Sequence, residues 1–265
     1  MFFVALIRLA GSLDDEAKAL AEALGLTPYE TRLKLVAGLP AVVMTSAERE
    51  PATEVLRGLR ARGHGAVGFD GSAVVPNESM LAMRNFALEP DAVTVGLPSG
   101  ERLPYQDISV MLRAAHRTSV ESVSVTKETK LSLGRTALTG GLLNTKTVTR
   151  EQRSTSHDQE QVLYLFRRSG AVPWILRERS TQYTALGKAL APSSMQNFIT
   201  TIGQLRELAR GAVYDERLRT LRGGPTRLAL TGVGKTASST VTSTTADGTD
   251  VLAHAIALAV ARGVW

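Results

Sequence analysis

Residues 25–69 constrain the fold more tightly than any other part of the sequence. Thr27-Pro28-Tyr29-Glu30 is a capping box with proline at the first helical position. In such a box the threonine hydroxyl accepts from the backbone N–H of the glutamate, whose carboxylate accepts from the threonine N–H in return, so a helix begins here. Leu33, Val36 and Ala37 follow on one face, and Gly38 ends the helix. Residues 41–44 read as a buried strand. Ser46 opens a third helix with Val55, Leu56 and Leu59 as its apolar face, and Gly63-His64-Gly65 turns the chain into a strand at 66–69. Upstream, the apolar run 3–9 has a strand's length. Ser12 caps a helix whose first turn carries Asp14, Asp15 and Glu16, where carboxylates suit the positive end of the helix dipole. Ala17, Leu20, Ala21 and Leu24 recur at helical spacing until Gly25 stops them. The predicted order is β-α-α-β-α-β, a small domain over residues 1–70.

Gly25-Leu26, Glu30, Leu35-Val36, Gly38, Pro40, the helix bearing Glu54 and Leu59, and the Gly63 turn resemble the C-terminal domain of ribosomal protein L7/L12. The same fold occurs in the ClpS adaptor family. Both are non-catalytic docking modules, so the resemblance implies protein–protein binding. The lysines of the L7/L12 factor-binding face are largely absent here, and Arg32 and Lys34 substitute for them only loosely. The acidic and histidine residues with which ClpS holds a peptide N-terminus have no counterparts. The resemblance therefore carries over a fold and a docking mode, with Arg32 and Lys34 as candidate partner contacts and no specific ligand.

Residues 71–83 read as a linker, because Gly71, Pro76 and Asn77 break any periodicity. A second domain is predicted over 84–219. Short strands with period-two alternation run through 86–95, 102–112 and 120–125, and the most apolar pair, 162–166 and 174–176, is joined by Ser169-Gly170. One amphipathic helix follows, with Phe198, Ile202, Leu205 and Leu208 as its stripe and Gly211 beyond its end. Antiparallel strands closed by a single helix resemble the order of a bacterial pleckstrin-homology-like barrel. That likeness implies an interaction or membrane-proximal module. Phosphoinositide-binding members carry a basic cluster between the first two strands, where this chain offers only Arg102. The expected class is thus α+β: a βααβαβ domain, then a PH-like antiparallel barrel with a closing helix.

Residues 126–156 are rich in Ser and Thr with scattered Lys and Arg, and read as a strand pair with a long loop or as an insertion. Residues 220–265 read as a low-complexity tether ending in a short apolar helix, 251–262. Such a helix on a tether either docks back onto its own chain or engages a partner.

Charge is unevenly spread. Residues 1–75 hold 8 Lys/Arg against 9 Asp/Glu, and residues 76–265 hold 23 against 16, for a net charge of +6 over 265 residues. Arg167, Arg168, Arg177 and Arg179 flank the two most apolar strands; if the strands pair, alternate arginines can share one face and meet a carboxylate- or phosphate-rich surface. No dense Lys/Arg run marks a nucleic-acid binder.

The remaining motifs argue against catalysis. There is no cysteine, which excludes disulfides, thiolate metal sites and cysteine nucleophiles. Gly232-Val233-Gly234-Lys235-Thr236 resembles a phosphate loop, but its first glycine would be Ala229 and a Ser/Thr tract follows instead of a helix. None of His64, His116, His157 and His254 has a second ligand at metal spacing. No Gly-x-Ser-x-Gly turn is present. The apolar start, residues 1–8, is short, lacks a basic n-region and runs into acidic residues, so no signal peptide is expected. The expectation is a cytoplasmic, non-catalytic interaction protein without a cofactor, metal or small-molecule substrate. Its partner would be another protein, or an anionic membrane or nucleic acid met through a basic sheet face.

Overall fold

The N-terminal elements follow the predicted order. Strand β1 (Phe2–Arg8) leads to helices α1 (Leu13–Leu24) and α2 (Pro28–Leu35), strand β2 (Ala41–Ser46), helix α3 (Arg49–Ala61) and strand β3 (Gly65–Asp70). The computed structural model describes residues 1–96, 100–131, 145–221, 232–235, 240–246 and 248–265; within 117–158 and 228–246 only backbone elements are described. Both predicted caps form. Ser12 Oγ accepts from Asp15 N at 3.3 Å and Thr27 Oγ1 from Glu30 N at 3.2 Å, while Glu30 Oε2 accepts from Thr27 N at 2.8 Å. Gly25 closes α1 in the left-handed region at φ 64°, a conformation that costs a residue with a Cβ far more than glycine. The three strands pair antiparallel in the order β2-β1-β3, and Val4, Leu6, Leu20, Val43 and Leu59 form the core between this sheet and its helices.

Short strands β4 (Leu81–Ala82), β5 (Phe86–Leu88), β6 (Ala92–Val95) and β7 (Glu101–Pro104) follow. Strands β8 (Ile108–Leu131) and β9 (Thr145–Arg167) are much longer, and β10 (Trp174–Arg177) returns beside β9. Next come helix α4 (Ser194–Leu208), strand β11 (Val213–Asp215), the one-turn helix α5 (Arg217–Thr220), strands β12 (Gly232–Lys235) and β13 (Thr240–Ala246), and helix α6 (Thr249–Ala261).

The chain divides into two compact units. One comprises residues 1–116, 159–227 and 247–265; the other comprises 117–158 and 228–246. In the first, β4 and β10 pair in parallel, β10 pairs antiparallel with β9, and β11 pairs in parallel with the start of β8. Strands β5, β6 and β7 make a separate antiparallel sheet. The run Val162-Leu163-Tyr164-Leu165-Phe166 is apolar throughout because β9 is covered on both faces. Leu163 and Leu165, with Trp174 and Leu176, pack toward Phe198, Ile202 and Leu205 of α4. Val162, Tyr164 and Phe166, with Ile175, pack toward Leu252 and Ile256 of α6. In the second unit β13 pairs antiparallel with residues 118–124 of β8 on one side and with β12 on the other.

Three sequence expectations change. The mixed α+β class stands, but the sheets are open paths and do not close into the expected barrel. Residues 240–246, expected as part of a tether, form a strand; a Ser/Thr tract that cannot build a core can still supply backbone hydrogen bonds to a neighbouring edge. Within residues 71–83, expected as a linker, Met80 and Met83 are buried and β4 joins a sheet.

Candidate docking surface

Helix α2 is eight residues long, shorter than an isolated helix can sustain in water. It is held by its capping box at one end and by only two buried side chains, Thr31 and Leu35. At 3.6 residues per turn those two share one face. Tyr29, Leu33 and Val36, spaced i, i+4 and i+7, lie in a stripe about 60° wide on the opposite face. Tyr29 is 74% exposed, Leu33 61% and Val36 72%. Single exposed apolar residues are ordinary, but three on one helical face make a contiguous ridge. Leu33 and Val36 do share the expected face, but it is the exposed one; the buried pair is Thr31 and Leu35, and the i, i+4, i+7 spacing from Tyr29 is the signal that separates the two faces.

The ridge has charged flanks. Arg32 borders it on one side and pairs with Asp14 at 3.1 Å, both side chains being well exposed. Glu30 and Lys34 lie on the other. Hydrogen bonds from Thr27, and more weakly the charge of Lys34, hold the Glu30 carboxyl below its usual range. Lys34 itself makes no ion pair among the described residues.

The four sheet arginines do not form a stripe. Strands β9 and β10 do pair, but with Arg177 opposite Val162, so Arg177 shares a face with Val162 and Tyr164 while Arg167 shares the other face with Leu163 and Leu165. The five-residue offset along the strands adds about 16 Å. Arg168 donates to the carbonyls of Gln106 (2.8 Å) and Gly211 (2.9 Å). Arg177 pairs with Glu160 at 3.5 Å, and Arg179 donates to the carbonyl of Gln159 at 2.9 Å. The Nε of Arg167 is buried without a hydrogen-bond partner. Arg102 of β7 is tied to Asp91 and Glu89 in the β5–β6 turn.

Polar groups that chemistry might use are explained by packing. His64 is buried beneath α1, with Nδ1 accepting from Ala10 N at 3.0 Å and Nε2 3.6 Å from Glu16 Oε2. Burial lowers its pKa, against the opposing pull of Glu16. Burial pushes the Tyr105 hydroxyl up to about 12; it donates to the carbonyl of Glu89 at 2.9 Å. Glu178 accepts from the Ser194 hydroxyl at 2.9 Å where α4 begins. The glycines of the sequence Gly232–Lys235 belong to strand β12 rather than to a loop before a helix. His157 lies outside the residues whose side chains are described. Among the described residues no group of three His, Asp or Glu side chains is placed to hold a metal ion, and no helix is long and apolar enough to cross a membrane.

No protein-family model, curated protein or solved structure matches this chain.

Proposed function

We propose that this protein is a non-catalytic adaptor that docks a partner protein through the exposed face of α2. The observation that carries the reading is the ridge of Tyr29, Leu33 and Val36 on a helix that needs none of the three for its own packing. Covering such side chains is favourable by about 1.5–3 kcal/mol each, and an i, i+4, i+7 ridge is the pattern by which helices engage a groove or a second helix. Of the charged residues beside the ridge Arg32 is paired with Asp14, so Lys34 selects the occupant: an amphipathic partner helix with an apolar face and an acidic edge. The docking role of the L7/L12 and ClpS families, which residues 1–70 resemble, supports the same reading, and we place the adaptor in the cytoplasm.

A basic sheet face meeting a membrane or nucleic acid has less support, since Arg167 and Arg177 point to opposite faces and Arg168, Arg177 and Arg179 already have intramolecular acceptors.

A photo-crosslinking amino acid at position 33 tests the adaptor reading. In native extract it should capture one protein through an acidic amphipathic helix, with yield falling as salt is raised, while the same probe at exposed Gly58 captures none. Equal capture at both positions, or a captured segment without flanking carboxylates, would overturn it.

A further inference from the structure

A cleft of about 640 Å³ opens where β1, α3, β3 and α6 meet. All four belong to the first compact unit. Its floor is apolar: Phe3, Leu56, Phe69 and Leu258. Phe3 and Phe69 stack with ring centroids 5.6 Å apart, and the His254 imidazole lies 5.0 Å from the Phe69 ring. Gly68 lets α3 sit close against β3, since a Cβ there would lie 3.0 Å from Leu56 Cδ2.

The rim is basic and under-compensated. Arg262 donates to the carbonyl of Gly68 at 3.3 Å and has no carboxylate within ion-pair distance among the described residues. Burial, and the like charge of Arg60, lower its pKa, which is the mark of a cation lacking a counter-charge. Arg60, a cation itself, adds like charge here and donates its Nε to the carbonyl of Ala66 at 3.0 Å. Arg49 makes no ion pair among the described residues, though after the hydrogen bonds from Ser72 its charge also helps to hold the Asp70 carboxyl below its usual range. Asp70, the acidic residue among the described lining of the cleft, accepts from Ser72 N at 2.9 Å and lies 3.8 Å from the N-terminal amine of Met1. Burial and Arg262 both lower the His254 pKa, so its ring stays neutral at pH 7 and does not repel an apolar ligand.

We propose that this cleft binds an aliphatic monocarboxylate, its chain over Phe3, Phe69 and Leu258 and its carboxylate at Arg262 and Arg49. The volume falls within the range of small-ligand pockets, which pair a mostly apolar lining with a few orienting polar groups. An inorganic phosphate would gain the two guanidiniums but leave the apolar floor wet and face Asp70. A carboxylate on a chain satisfies both parts of the site at once. This site is separate from α2.

Calorimetric titration of the full chain with decanoate, decanol and inorganic phosphate tests the assignment. The expected result is saturable one-to-one binding of decanoate at least tenfold tighter than of decanol, with a shift of the His254 ring resonances. Arg262→Gln should weaken decanoate about tenfold and leave decanol unchanged. Arg49→Gln, at an exposed position that leaves the fold intact, should weaken decanoate several-fold. Leu33→Glu on α2 should change neither. Absence of saturable binding, decanol binding as tightly as decanoate, saturation by phosphate alone, or indifference of decanoate to both arginine variants would each overturn the proposal.

Discussion

Helices α2 and α6 both belong to the same compact unit, yet they are stabilised in opposite ways. Helix α2 has a complete capping box and only two buried side chains. Helix α6 has no side-chain N-cap hydrogen bond and buries Leu252, Ala253, Ala255, Ile256 and Ala259. One is held by its ends and leaves an apolar face to solvent; the other is held by its face and needs no cap. A helix fixed by capping can offer its apolar residues to a partner without loss to its own fold. The sequence leaves open whether the terminal helix docks on its own chain or on a partner. It docks in cis, on Val162, Tyr164 and Ile175, and the helix that leaves an apolar face exposed is α2.

The largest effect that tests this contrast is on α6. Ile256→Ala should cost about 2–5 kcal/mol in urea unfolding, the range for truncating a fully buried aliphatic side chain. A cost below about 1 kcal/mol would mean that α6 is not held by burial.

Next is the cap. Thr27→Ala should cost about 1 kcal/mol and speed amide exchange across residues 28–35, because it frees the Glu30 N–H and breaks the reciprocal box. The same change should weaken capture by the α2 ridge, which is presented only while the helix is formed. Unchanged exchange would show that tertiary packing, not the cap, holds α2.

A smaller contrast is pH. His254 lies on α6 and its folded pKa is below the usual 6.5, with burial the main cause and Arg262 the second. The unfolded state therefore binds more protons below about pH 6.5, so the stability this group contributes is complete above that value and is lost as the pH falls toward its folded pKa. His64 acts in the same direction. Unfolding free energy should fall between pH 7 and 5, and His254→Gln should flatten part of that slope. The exposed α2 ridge carries no such group, so the exchange of α2, corrected for pH, should not follow the same curve.

The smallest effect is on the α2 surface pair. Arg32→Ala should change stability by no more than about 0.5 kcal/mol, since exposed ion pairs contribute little, while lowering partner capture and its salt sensitivity.

Sequence reading found the N-terminal elements because each boundary there has a local chemical cause: Ser12, Thr27-Pro28, Gly25 and Gly63 act within one turn of the residues they control. It found the β9–β10 pair because an unbroken apolar run bounded by Ser169-Gly170 has few other uses. It misjudged what depends on distant segments. Whether Leu33 or Leu35 is covered is decided by packing against α1 and β2, not by the periodicity of α2. Residues 240–246 have no apolar pattern, and their strand is induced by the edge of β8 at residues 118–124. The arginine stripe depended on register and on free side chains: pairing Arg177 with Val162 puts it on the face opposite Arg167, and Arg168, Arg177 and Arg179 find acceptors within the chain. The α6 cleft had no sequence signal, since Arg49, Phe69 and Arg262 are brought together only by the fold.

The most direct measurement of the central claim is the urea unfolding of Leu33→Glu beside that of the unmodified chain, with cross-linking from position 36 in both. An exposed docking ridge predicts a stability change within about 0.5 kcal/mol together with loss of the captured partner. A destabilisation of about 2 kcal/mol or more, or undiminished capture, would contradict it.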